Sequence, residues 1–290
     1  MNAPEHWVWL LAMARNPHIK PLTLHAWLKQ FSQAPTELLE ASESLLTLCR
    51  CAVDAPSLQL ARQDLESALD SGLTCVDYWN PEYPYRLREI SSAPPLLFAQ
   101  GPAVNWNAPK VGAVVGSRAC SPQGLAFTRE LVRGLAAQGI AWISGLALGI
   151  DGAMHQSALD SGQATWGVLA GDVRRVYPPG NRKLAHEMTQ RPGCALLSEN
   201  LGRQAFDPLA FKRRNRLIAG MADFVVLVES KDPSGSLITA QYAEAFDRRL
   251  FAVPQHPSHA LSKGPNGLIQ QQRALLCQQG SDIVQEMNWS

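Results

Sequence analysis

From residue 110 onward, short apolar runs alternate with longer stretches in which apolar residues recur every three or four positions. The runs are VGAVVG, IAWISG, ATWGVLAG, CALLSE, DFVVLVES and RLFAVP. A continuous apolar run of this length reads as a strand buried on both faces, and alternation with amphipathic helices predicts a mostly parallel sheet with helices on both faces. The first helix carries its own boundary signals. Ser121 is placed to cap it, Pro122 follows where a missing N–H costs nothing, and Gly139 ends it.

Residues 1–75 have a different texture. HWVWLLAMA, PLTLHAWLKQF, APTELLEASESLLTL and SLQLARQDLESALDSG show helical periodicity without β-branched runs, which predicts a small all-α domain. Residues 76–109, rich in Pro and Tyr, read as a connector that ends in a short strand at Leu96–Ala99 and docks on the sheet domain of 110–290.

The 290 residues are 46% hydrophobic and 18% charged, with net charge +1. That balance excludes a disordered chain and a generally basic one, so any nucleic-acid site must be a local patch. No run reaches the length of a membrane span, and the N-terminus lacks the basic start of a signal peptide, so the expected location is cytoplasmic. Six irregularly spaced cysteines, including the Cys49/Cys51 C-x-C, predict neither a disulfide framework nor a zinc set.

In an open α/β sheet, ligands bind beyond the carboxyl ends of the strands, and the unusual residues of this chain fall there. Gly116, Ser117 and Arg118 follow the first core strand, and the helix start behind them favours an anion; a turn glycine beside a solvated arginine is the plainer account. SGLALGID holds Gly145 and Gly149 in a small-residue turn, a phosphate cradle or a tight turn closed by a capping Asp151. His155 stands four residues beyond, on what reads as helix surface. Tyr177, Asn181, Arg182 and Lys183 offer a stacking ring and phosphate contacts. FKRRNR, residues 211–216, packs four cations and Asn215 just ahead of a buried strand, which favours an anion over a merely solvated face. Gly235 and Ser236 open a further helix. His256 and His259 form H-x-x-H without a suitably placed third ligand, so neither metal nor cofactor is expected. No P-loop, G-x-G-x-x-G turn or G-x-S-x-G elbow is present.

Seven ordered motifs give the chain a resemblance to the DNA-processing protein A (DprA/Smf) family: YPYRLREISSAPPLLFAQG, GSR, SGLALGID, YPPGN, RRNRLIAG, SGSLITAQYA and FAVP…GPNGLI. The resemblance implies an extended Rossmann-like domain behind a helical domain of the SAM or helix-hairpin-helix kind. It implies a homodimer that binds single-stranded DNA and loads the RecA recombinase during natural transformation, with no covalent step. It carries DNA contacts to Gly116, Ser117, Arg118, Lys183, Arg214, Asn215, Arg216, Gly235 and Ser236; Gly145, Tyr177 and Asn181 join them from the loop reading above. The sequence departs from the family pattern at Lys212, usually Pro, at Gln255, usually Gly, and at Arg273, usually Gly. The winged-helix module found in many members is not expected beyond Ser290. Two other readings stay open. One is a LOG-like nucleoside-monophosphate phosphoribohydrolase, although DPSGSLITAQYAE lacks the glycine pair of that family's glutamate motif. The other is an adaptor with a vestigial pocket.

Overall fold

The computed structural model describes residues 2–34, 38–202 and 207–289. Four helices come first: α1 (Glu5–Arg15), α2 (Pro21–Leu28), α3 (Leu38–Leu48) and α4 (Ala55–Asp70). Asp54 begins α4 by accepting the Ser57 N–H at 2.9 Å. Residues 35–37 of the third helical stretch lie outside the described residues.

The expected connector does more than connect. It supplies β1 (Thr74–Asp77), α5 (Tyr85–Arg88) and β2 (Leu96–Gln100), and both strands join the main sheet antiparallel, β2 against β6 (Ala195–Ser198). Arg86, nearly fully buried, fastens this segment to the first parallel strand, β3 (Val111–Val115). Its Nε and Nη2 donate to the Asp223 carboxylate at 2.6 and 2.9 Å, and that carboxylate also accepts the Val111 N–H at 2.8 Å.

Helices and strands then alternate: α6 (Pro122–Gly134), β4 (Ala141–Ser144), α7 (Ile150–Asp160), β5 (Thr165–Val168), α8 (Arg182–Met188), β6, α9 (Pro208–Met221), β7 (Phe224–Leu227), α10 (Gly235–Ala245), β8 (Arg249–Ala252), α11 (Lys263–Gln270), β9 (Leu275–Leu276) and α12 (Gly280–Glu286). Every apolar run singled out above forms its strand. Ser121 accepts the Gly124 N–H at 3.0 Å, and Gly139 is left-handed after a short 3-10 turn that follows α6. The sheet has nine strands in the order β1-β2-β6-β5-β4-β3-β7-β8-β9, parallel from β6 to β9.

The two faces bury separate cores, divided by the period-2 alternation of each strand. Val111, Ala113 and Val115 of β3 point to one face with Leu217 and Ile218 of α9; Val114 points to the other with Leu131 of α6 and Met154 of α7. The fold is therefore an extended Rossmann-like α/β sheet with helices on both faces. The first face continues without interruption into the helical region, through Val8, Leu28 and Leu65. Trp142 and Trp166 are fully enclosed, and a buried side chain of that kind contributes roughly 2–3 kcal/mol. Among the described residues, no helix is long and apolar enough to cross a membrane.

Candidate nucleic-acid interface

The order of strands dictates where a ligand fits. From β3 the chain moves through β4 and β5 to β6, then returns to place β7 on the other side of β3. Loops leaving β3 and β7 diverge and open a crevice between them. A cavity of about 510 Å³ occupies it, lined by Gly116, Ser117 and Arg118 after β3 and by residues 230–236 after β7. The far wall comes from Phe211, Lys212, Arg214 and Asn215 of α9.

The turn after β4 shapes the floor. Gly149 has φ +78°, and a Cβ there would stand 2.3 Å from the Ser117 carbonyl oxygen. Only glycine meets both conditions. The Asp151 carboxylate caps nothing at the α7 start; it reaches back to accept the N–H of Gly145 at 3.1 Å and of Ala147 at 3.4 Å. The Asn181 amide holds the same turn from outside, donating to the carbonyls of Leu146 and Ala147 at 2.9 Å each. Asn181 is thus a positioning residue whose amide donor is already engaged.

The basic run of α9 is divided by helix geometry. Successive residues project about 100° apart, so neighbours in sequence face different surroundings. Arg213 pairs with Asp207 at 2.5 Å. Arg216, which the sequence grouped with Arg214, turns away from the cavity into a buried ion pair with Glu199. Arg214 alone enters the floor. Its Nη1 donates to the carbonyl of Gly145 at 2.6 Å and to that of Val168, and its Nε to Asn215 Oδ1 at 3.1 Å. Burial lowers its pKa to about 10, with Asp151 opposing and Arg118 adding to the shift, so it stays charged at neutral pH. The Asp151 carboxyl is raised above the usual range by burial, against the pull of Arg214. Asn215 Nδ2 donates to the Gly235 carbonyl at 2.9 Å and sets the start of α10 beside the cavity. Ser236 belongs to a hydroxyl cluster with Ser230 and Ser234 on the same wall.

Arg118 is exposed at the rim, its guanidinium 5.7 Å from the centre of the Phe211 ring. Tyr177 meets Phe211 edge-to-face at 5.8 Å, and the pair borders a smaller hollow of about 90 Å³ that shares Arg118 and Arg214 with the main cavity. Gly116, Ser117, Arg118, Arg214, Asn215, Gly235 and Ser236 therefore gather around the main cavity, and Gly145 and Tyr177 around the smaller hollow beside it. Lys183 is exposed on α8, outside these linings. Phe211, Lys212 and Lys231 line the cavity without having been singled out as contacts. Lys212 is the visible signal among them, a cation where the related family usually has proline. Of the loop after β6, residues 203–206 lie outside the described residues.

His155 and Glu229, the acid just beyond β7, serve the scaffold. His155, expected on a surface, is fully enclosed because α7 packs between the sheet and α6; its Nδ1 lies 2.7 Å from Thr165 Oγ1. Glu229 is buried and holds the start of α6, accepting from the backbone N–H of Ser121 at 2.8 Å and from its hydroxyl. His259 lies 3.9 Å from Glu229, and His256 bonds Ser258 at 2.7 Å. Gln255 donates to the Val228 carbonyl at 3.1 Å, and Arg273 holds Glu244 with two bonds, so both departures from the family pattern are structurally used. No group of three or more His, Cys, Asp or Glu among the described residues could hold a metal.

The chain is thus a Rossmann-like α/β protein whose switch point carries a crevice of cations, hydroxyls and a helix start, an arrangement suited to an anion. The family model described as DNA recombination-mediator protein A matches residues 74–288, and the chain belongs to that family. It is 39% identical to the DNA processing protein DprA of Streptococcus pneumoniae over 207 residues, 71% of this chain and 72% of the relative. With DprA of Bacillus subtilis the identity is 33% over 218 residues, 75% and 72%. The X-ray structure of the Streptococcus pneumoniae protein superposes with a TM-score of 0.80 at 30% identity, covering 99% of both chains. A structure describing the single-stranded DNA binding mode of DNA processing protein A from Helicobacter pylori has a TM-score of 0.66 at 26% identity, covering 74% of this chain and 95% of that one.

Proposed function

We propose that the protein binds single-stranded DNA along the carboxyl edge of its sheet and leaves the strand chemically intact. The observation that carries this reading is the convergence of Arg118, Lys212, Arg214 and Lys231 on one cavity at the switch point. Cations there bind phosphate whatever the sequence, and each contact releases counterions, so affinity falls steeply with salt. The exposed Tyr177 ring offers a stacking surface that a paired base cannot reach, which favours single strands over duplex. The single-stranded DNA bound by the Helicobacter pylori relative supports the same ligand class.

By the same family reading, the protein acts in the cytoplasm as a homodimer that hands the bound strand to RecA in natural transformation. A dimer places two such sites on one strand and raises their effective concentration. A titration of labelled single-stranded and duplex DNA at two salt concentrations tests the core of the proposal. Tight, salt-sensitive binding of the single strand, recovered at its full length, is the expected result; absent binding in dilute buffer, or cleavage of the strand, overturns it. RecA filament growth on the same strand, with and without the protein, tests the hand-over.

A further inference from the structure

The cavity concentrates more charge than one link of a strand carries. Arg118, Lys212 and Lys231 are exposed at its rim, Arg214 lies in its floor, and Asp151 is the one acidic side chain in its described lining. A phosphodiester inside a strand carries a single negative charge. A terminal phosphate, with its second pKa near 6, carries about −1.5 to −2 at neutral pH and presents a third free oxygen.

The floor also holds a donor that no described residue takes up. Arg214 is only 6% exposed, and its Nε and Nη1 are engaged as described above. Its Nη2 makes no hydrogen bond with any described residue. That nitrogen is not sealed from solvent, and Arg214 lines the cavity, so it is open to an acceptor that enters there. Across the cavity, the first-turn N–H groups of α10 stand outside the helix's own ladder; the Ser234 hydroxyl accepts that of Leu237 at 3.2 Å, which leaves those of Gly235 and Ser236, and a Cβ on Gly235 would meet nothing within 4 Å. Two sources of donors therefore face one space, and about 510 Å³ falls in the range of small-ligand sites.

From this arrangement we infer that the cavity takes a terminal phosphomonoester in preference to an internal phosphodiester. The ligand is the phosphorylated end of a DNA strand or a free nucleoside monophosphate. The inference rests on the proposed reading of the cavity as a phosphate site. Arg214 Nη2 and the α10 turn hold the dianion, and Arg118, Lys212 and Lys231 neutralise it from the rim.

The test uses the full chain and short thymidylate strands with a 5′-phosphate, a 3′-phosphate or hydroxyls at both ends. Thymidine 5′-monophosphate and thymidine serve as competitors. One phosphorylated strand is expected to bind at least about tenfold tighter than the unphosphorylated one at about pH 8, with the ratio shrinking as pH falls through about 6. A strand end as the source means that strand outcompetes the mononucleotide by a similar factor; a free nucleotide as the source means the mononucleotide displaces it at comparable concentration and thymidine does not. Equal affinity for all strands, with no competition by the mononucleotide, overturns the inference and leaves the proposed function standing. Mononucleotide binding without strand binding upholds the inference and overturns the proposed function; failure of every ligand to bind overturns both. Lys212→Ala with Lys231→Ala, two exposed changes, should abolish the preference while thermal unfolding stays put, and full retention of the preference would sink the idea.

Discussion

Gly145 and Arg214 occupy each other's space: the guanidinium donates to the glycine carbonyl at 2.6 Å, and a Cβ on that glycine would fall 2.6 Å from Arg214 Nη2. The turn after β4 and the middle of α9, 69 residues apart, are thereby built as one unit at the cavity floor. Gly145→Ala forces the guanidinium aside. Single-strand affinity should fall at least about tenfold, with a stability cost of about 1–3 kcal/mol for overpacking. Fluorescence anisotropy and thermal unfolding measured together check this, and unchanged affinity would mean that Arg214 does not face the ligand.

Arg118 contributes to binding from the rim. It is exposed and makes no ion pair with a described residue that would hide its charge. Arg118→Ala should weaken single-strand binding and lower the slope of log affinity against log salt by about one unit, while the melting temperature stays within a degree or two. An unaltered slope would count against a phosphate at this guanidinium.

Arg216 should behave in the opposite way. Its partner Glu199 sits at the end of β6, and both side chains are largely out of water. Arg216→Ala strands that carboxylate and should cost about 3 kcal/mol of stability. Under conditions where the variant remains folded, the salt slope of binding should match the parent protein. A reduced slope with normal stability would instead place Arg216 on the DNA.

These contrasts mark where the sequence was legible. The parallel strands could be read because burial on both faces makes each an unbroken apolar run. Thr74–Asp77 could not: it runs from an exposed Thr74 to a buried Val76 and Asp77 and contains no such run. Leu275–Leu276 is two residues long and exposed, too short to carry any period. The site's location was legible too, because topology sends every loop after a parallel strand to one edge. The roles within FKRRNR were not. Adjacent helical residues diverge by about 100°, and the partners that settle their fates, Glu199, Asp151 and the Gly145 carbonyl, come from distant segments. His155 was misplaced for a related reason: the period of α7 shows which residues share a face, and only packing against both the sheet and α6 reveals that the polar face is covered as well.

That burial of His155 sets a pH dependence. Enclosure lowers its pKa from 6.5 to about 3, with Arg214 adding to the shift. The unfolded chain therefore binds a proton that the folded chain refuses between about pH 6.5 and 3. Stability contributed by neutral His155 is complete above the unfolded value and declines as pH falls below it, by up to about 1.4 kcal/mol per pH unit. His155→Gln keeps a polar group that can bond Thr165 and removes the titration. Its stability, measured by denaturant unfolding at several pH values, should start lower near neutrality because the ring is lost. It should then decline more gently than the parent protein as pH falls from about 6.5. Parallel curves for the two proteins would show that His155 is not the group that charges on acid unfolding.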